Sequence, residues 1–478
     1  MIALLAASTL YQVASLAALA DAGALPSGQR RVLVLANGSQ QPELTTPLQQ
    51  APGFAELSTR FDAVVDLAEL IWPRRPQAFS PREEELLMWQ RLLRSHWGLG
   101  SEPVTLYLES IQVNPAMALA RIFHDAPITV HSDGLMSYGP TRNRLPVAVA
   151  QRLDALVYVD LVPGLTPVLL REFAPQLTPV PRAPLAAVFR ELAAATRPSA
   201  AATSLSGAGD VALMLGQYLV PLGVLTPEQQ AELDEQMLVA ALHAGARTVA
   251  YKPHPSVSAG STAALREEAA ELGLALVVLP DEVPAELLML WLTPRVVISG
   301  FSTSLFTAAE LFGLPAAAVG FELVGPELSP YQNSNRVPLV LADAVLGPGA
   351  SVTGPELQGL VDAVAYCMQS HRLPQLREDA EAFLTRHPRL RDRYIKQRRL
   401  RALGLPSAQR RTVVTGRSPR AMARRVLQAR LGEEGAQATI ARLSAARHSL
   451  RHTPRRAVGK LGSTLVSWSK TPQRASRS

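Results

Sequence analysis

Residues 2–21 read IALLAASTLYQVASLAALAD: six apolar residues, a hydroxyl-bearing turn at Ser8-Thr9, then a long Ala- and Leu-rich stretch. Two structures fit such a run, a secretory leader and a buried strand that turns into a helix. A leader begins with a basic region and continues unbroken, whereas this run lacks the basic start and is interrupted by Ser8, Thr9, Tyr11 and Gln12. The segment therefore reads as a strand over Ile2–Ala7, a turn and a helix, the opening unit of an α/β sheet. A cytoplasmic chain is the expectation that follows. No other stretch reaches the roughly 18–20 uninterrupted apolar residues of a membrane span.

The same alternation continues outward. Arg31–Ala36, Asp62–Leu67, Val104–Leu108, Ile128–His131 and Leu156–Asp160 are short apolar runs that predict strands, with amphipathic helical stretches such as Pro81–Ser95 and Asn114–Phe123 between them. Strands separated by helices imply a parallel sheet covered on both faces. The small, polar stretch TRPSAAATSLSGAG at 196–209 predicts a linker. Beyond it the pattern restarts with strands at Val211–Leu219, Thr248–Tyr251, Leu274–Leu279, Arg295–Ser299 and Ala316–Val319, and helices at Pro227–Ala244, Thr262–Leu272 and Ser304–Phe312. The expected organisation is an α/β chain of two Rossmann-like lobes with a cleft between them: 1–195, a linker at 196–209, 210–400, and a tail at 401–478. Ligands of such sheets bind beyond the carboxyl ends of the strands.

Composition narrows the function classes. At 478 residues and 47% hydrophobic, the chain is long enough to bury two cores. A single cysteine, Cys367, excludes an internal disulfide framework and any Cys-rich zinc module. The net charge of +7 conceals an asymmetry, because residues 401–478 hold 17 Lys and Arg against only Glu433 and Glu434. The body is thus acidic and the tail strongly basic. The tail reads as a mostly helical or disordered extension, and its Leu427, Leu431, Ile440, Leu443, Leu450 and Trp468 among arginines suit an anionic membrane surface. Nucleic acid is not the expected partner, since no DNA- or RNA-binding signature accompanies the charge.

Three segments carry candidate chemistry. In ITVHSDGLMSYGP (128–140) a buried strand ends at Asp133, where a partly desolvated carboxylate can accept a proton; Asp133-Gly134 is equally a common turn. His131 alternates along the strand as a core histidine would. In TVAYKPHPSV (248–257) two prolines restrain His254, which can donate a proton or hold charge beside a departing phosphate. His387-Pro388, with no strand before it, is a decoy. In RVVISGFSTSLFTAAELFG (295–313) a strand passes through Gly300 into Ser302, Thr303 and Ser304, which open a helix as caps or as an anion site. Neither a Walker sequence nor GxGxxG is present, so ATP hydrolysis and nicotinamide binding are not expected.

In this order the segments resemble the acidic-acidic-Gly, His-Pro and Ser-Ser/Thr motifs of bacterial sialyltransferases. The similarity is to the α-2,8-polysialyltransferase-like family and its lipooligosaccharide relatives, with matching residues Ser132-Asp133-Gly134 and Ser137-Tyr138, His254-Pro255, and Ser302-Thr303. Thr9 and Gln12 look like the family's Thr-x-x-Gln turn. The resemblance spans about residues 1–370 and implies a GT-B fold with a nucleotide-sugar donor, CMP-sialic acid, and a glycan acceptor. It further implies Asp133 as general base and His254 as general acid, with Pro255, Gly300, Ser302, Thr303 and Ser304 on the donor and Thr9, Gln12 and Gly134 lining the acceptor side of the cleft. Neither cofactor nor metal is expected. Ser132 departs from the motif, which has an acid there. Location is expected in the cytoplasm or peripherally on the inner face of the cell membrane. Two other readings stay open: a CDP-polyol phosphotransferase of the teichoic-acid type, and a non-catalytic glycan or membrane adaptor.

Overall fold

The computed structural model describes residues 1–37, 47–253, 259–280, 283–350 and 352–407. The tail motifs from 408 onward lie outside these residues. Seven strands form the first sheet: β1 (Ile2–Ala7), β2 (Arg30–Leu35), β3 (Ala63–Asp66), β4 (Val104–Leu108), β5 (Ile128–Ser132), β6 (Leu153–Val159) and β7 (Gln176–Val180). They run in the order β3-β2-β1-β4-β5-β6-β7. Five form the second: β8 (Val211–Leu215), β9 (Thr248–Lys252), β10 (Ala275–Val278), β11 (Val296–Ser299) and β12 (Ala316–Ala318), in the order β10-β9-β8-β11-β12.

Every pairing is parallel, for example Leu5 beside Tyr107 across β1 and β4, and Val297 beside Ala316 across β11 and β12. In each sheet the order reverses once, between β1 and β4 and between β8 and β11, and the carboxyl ends at such a reversal open a crevice. Two Rossmann-like sheets of this kind, covered by helices, make the architecture GT-B.

β1 shows why the sequence folds this way. All six residues are buried. Ile2, Leu4 and Ala6 point to one core, with Leu106, Val130 and Phe123, while Ala3, Leu5 and Ala7 point to the other, with Val13, Leu16 and Phe189. A strand covered on both faces must be apolar throughout, and the run has no polar position to spare. The second core is continuous with that of the following sheet. Helix Arg182–Ala195 is the shared wall: Phe189 packs between Tyr11, tilted to it at 5.3 Å, and Phe312, edge-on at 6.2 Å, and Arg182 pairs with Glu310 at 2.8 Å.

Two features depart from the sequence reading. Stretch 196–209 is not a plain linker, because it contains helix Ala200–Leu205, started by Ser199 accepting from Ala202 N at 3.2 Å and seated by buried Ala202 and Leu205. A capping serine before an alanine run is a helix start. Helix Gly354–Gln369 also returns to the first sheet's loops: Gln358 accepts from Thr166 N at 2.7 Å, Asp362 pairs with Arg171 at 2.9 Å, and Gln369 donates to Arg142 O at 3.1 Å. Among the described residues no helix is long and apolar enough to cross a membrane.

The last described helices are anchored on buried Asp343, which receives Arg393 through Nε at 2.7 Å and Nη2 at 2.8 Å, and the Tyr394 hydroxyl at 2.8 Å. Removing one partner of a buried charged set strands the others. Asp343→Ala is expected to cost about 3 kcal/mol, read as a lower urea midpoint with an unchanged slope; an unmoved midpoint would show that the anchor holds nothing.

Candidate active site

The first lobe's contribution gathers at the reversal between β1 and β4. β1 ends at Ala7, and the next residues turn into helix Leu10–Asp21 under the cap of Thr9, whose hydroxyl accepts from Gln12 N at 3.2 Å. That turn buries the Gln12 side chain. Its Oε1 accepts from Ser8 N at 2.7 Å, which fixes the amide and aims its donor end at Asp133, to which it hydrogen-bonds. Asp133 itself follows the last residue of β5. Glu109, the residue after β4, lies beside it and accepts from Ser8 Oγ at 3.0 Å.

Burial, then the Glu109 carboxylate, pushes the Asp133 carboxyl up to about 6, against the pull of Gln12. A carboxyl in that range still ionises near neutrality and binds a proton more strongly than an ordinary aspartate. Glu109, Asp133, Gln12, His131, Arg142 and Asn143 are among the residues lining a cavity of about 320 Å³.

The second lobe presents the start of helix Thr303–Phe312. Ser302 caps it from an extended backbone and accepts from Ser304 N at 3.3 Å. Among the described residues no acceptor takes its own hydroxyl proton. Ser304 differs, because its hydroxyl donates to buried Glu286 at 3.1 Å. Glu286, raised by burial, also feels Lys252 at the end of β9. Gly300 lies against the Gln217 amide, whose oxygen accepts from Phe301 N at 3.1 Å, and a side chain at 300 would collide with it. The positive end of a helix, flanked by hydroxyls, is an anion-binding arrangement.

These two constellations meet at Gly134. A Cβ there would sit 2.9 Å from Thr303 Oγ1, and Thr303 Oγ1 accepts from Leu135 N at 3.4 Å. Tyr11, three residues past Ser8, reaches across to Thr307 at 3.4 Å. Asp133 is therefore one residue from the contact between its own lobe and the helix start of the other.

Of the residues singled out from sequence, Asp133, Gly134, Thr9, Gln12, Gly300, Ser302, Thr303 and Ser304 come together along this cleft. His254 and Pro255 lie outside the described residues. His131 is a core histidine: buried, its titration lowered by burial, with Nε2 donating to Ala6 O at 2.7 Å. Tyr138 is fully buried, and its hydroxyl accepts from Val162 N at 3.2 Å. His387 pairs with Glu356 at 2.9 Å and stacks on Phe383, a packing role.

Sequence reasoning missed Ser8, Glu109, Gln217 and Glu286. Glu109 follows the strand VTLYL and obeys the same strand-end rule that singled out Asp133, while Glu286 is a lone acid in the apolar helix AELLMLWL. Among the described residues no group of three or more His, Cys, Asp or Glu is arranged to hold a metal ion.

No curated protein sequence matches the chain. Among solved structures, a sialyltransferase from Photobacterium damselae aligns at 11% identity and TM-score 0.38, covering 72% of this chain and 96% of its own. MurG from Acinetobacter baumannii aligns at 11% and 0.37, covering 79% and 93%. UDP-GlcNAc 2-epimerase from Methanocaldococcus jannaschii aligns at 12% and 0.41, covering 72% and 92%. The model of the alpha-2,8-polysialyltransferase family matches residues 3–320, which takes in both sheets and both halves of the cleft. The chain belongs to the α-2,8-polysialyltransferase family and is a glycosyltransferase.

Proposed function

We propose that the protein moves sialic acid from CMP-sialic acid to a hydroxyl of a glycan acceptor in one inverting displacement that needs no metal. The observation that carries this reading is the raised, partly buried Asp133 carboxyl one residue from the contact with the helix start at Ser302-Thr303. An acceptor hydroxyl in the cavity beside Asp133 attacks the anomeric carbon, and its proton passes to the Asp133 carboxylate. The bond to the CMP phosphate breaks, and its electron pair leaves with the phosphate oxygen. Charge growing there meets the helix end and the free protons of Ser302 and Thr303, stabilisation that strengthens as the bond lengthens. His254, two residues past the end of β9 in sequence, assists departure as a proton donor. Ser304 serves indirectly, since its proton belongs to Glu286.

CMP carries a single phosphate, so one helix end and two hydroxyls suit the charge that departs with it. The direct test is CMP release from CMP-sialic acid by the purified protein in EDTA, with sialylated and galactose-terminated acceptors. Turnover of CDP-glycerol in its place would move the protein to polyol-phosphate transfer. The basic tail, in this proposal, holds the enzyme on anionic lipid at the inner face of the membrane.

Three outcomes are expected. Asp133→Asn lowers kcat/KM by about 10²–10⁴-fold, and the wild-type profile loses activity below a single ionisation near 6, because only the ionised carboxyl accepts a proton. Since the folded state raises this carboxyl, its contribution to stability is present in acid and lost as pH rises through about 6. Asp133→Asn should then melt higher than wild type at pH about 8 and no higher at pH about 3; equal melting at both would contradict the burial of charge.

Gly134→Ala, allowed by the extended backbone at this position, should melt as wild type yet lose about 10² in kcat/KM by pushing Thr303 away. Truncation after Ser407, beyond buried Leu405, should leave solution turnover intact and abolish retention on anionic vesicles. Full retention would separate the tail from the membrane.

A further inference from the structure

Two carboxylates share the cavity of the first lobe, and the transfer described above uses only one. Glu109 emerges from β4, the strand next to β5, at the reversal of strand order where the crevice opens. It is held in place by the same turn that holds Asp133. Ser8 donates its hydroxyl to Glu109 at 3.0 Å and its backbone N–H to Gln12 at 2.7 Å, and Gln12 bonds Asp133. The five residues Ser8–Gln12 thus connect the two acids, and both line the cavity of about 320 Å³. Ser132 lines it as well, but brings no charge.

We propose that Glu109 is a positioning residue for the transfer, held by Ser8 beside Asp133 so that its negative charge strengthens Asp133 as the proton acceptor. This rests on Asp133 being the base. A charge beside a carboxylate disfavours its ionised form and so tightens its hold on a proton, which is what a base near neutrality requires.

The other groups facing Asp133 do not supply that charge equally. His131, on the same strand, is lowered by burial and donates to Ala6 O. Glu286, from the helix of the second lobe, acts on Asp133 less than Glu109 does and is itself countered by Lys252. Tyr11 is raised by burial and stays a neutral phenol. Gln12 pulls the other way by donating to the carboxylate. Arg142 lines the same cavity.

The test follows the Asp133 carboxyl itself by ¹³C NMR in full-length protein labelled at the aspartate carboxyls, with Asp133→Asn as the assignment, alongside the pH profile of kcat/KM with CMP-sialic acid. In Glu109→Gln the titration should move down by about one pH unit, with the acid limb of the profile following it. Adding Ser132→Asp to that variant should return both. A folded Glu109→Gln protein in which Asp133 titrates as in wild type overturns the proposal. If Glu109→Gln does not fold, Ser8→Ala reads the same effect through the hydroxyl that holds Glu109: Asp133 titrates lower, and an unmoved titration is again fatal. Turnover that survives Asp133→Asn would instead remove the base assignment, and the NMR titration would still report on Glu109.

Discussion

Parallel pairing is the constraint from which the rest follows. A strand that runs parallel to its predecessor must be reached by a crossover, so the helices are forced onto both faces and every strand delivers its carboxyl end to one edge. Among the described residues twelve strands in two such sheets supply two edges, and the residues just past them have no ladder to satisfy. Ser8, Glu109 and Asp133 stand on one edge; Gln217 and the Gly300-to-Ser304 turn stand on the other. The chemistry is concentrated where the fold leaves backbone and side chains free to serve something else.

Placing charge at that edge has consequences for the groups beneath it. Asp133 loses part of its hydration, and Glu286 loses nearly all of its own. Each is compensated by a neutral donor, Gln12 for one and Ser304 for the other. Among the described residues neither makes a direct salt bridge, which would pin it ionised and useless for proton exchange. The hydroxyls divide accordingly: Ser304 is committed inward, while Ser302 and Thr303 use their oxygens as acceptors within the fold and keep their protons for a ligand.

Much of this was legible in the sequence because burial on two faces leaves a strong trace. β1, with no polar residue, and the Thr9-to-Gln12 turn were readable, as were β4, β8 and β11 to within a few residues. β7 was not, because QLTPV sits at the sheet edge with most of its residues accessible and a proline at Pro179, and such a strand carries neither apolar continuity nor alternation. The helix at Ala200–Leu205 was hidden in a composition that reads as linker. Glu109 and Glu286 were invisible for a different reason. Their significance lies in neighbours 24 and 18 residues away, at Asp133 and Ser304, and only tertiary proximity turns an isolated acid into part of a pair.

The return of helix Gly354–Gln369 to the first sheet's loops means that the chain passes between the lobes twice, once through 181–210 and once ahead of Gln358. Two rigid bodies joined by one connection can swing about it in any direction. Joined by two, and with one hydrophobic core continuous across them, they are tied at more than one place. The contact of Gly134 with Thr303 lies off both covalent passages, so it joins the lobes at a place where no stretch of backbone does.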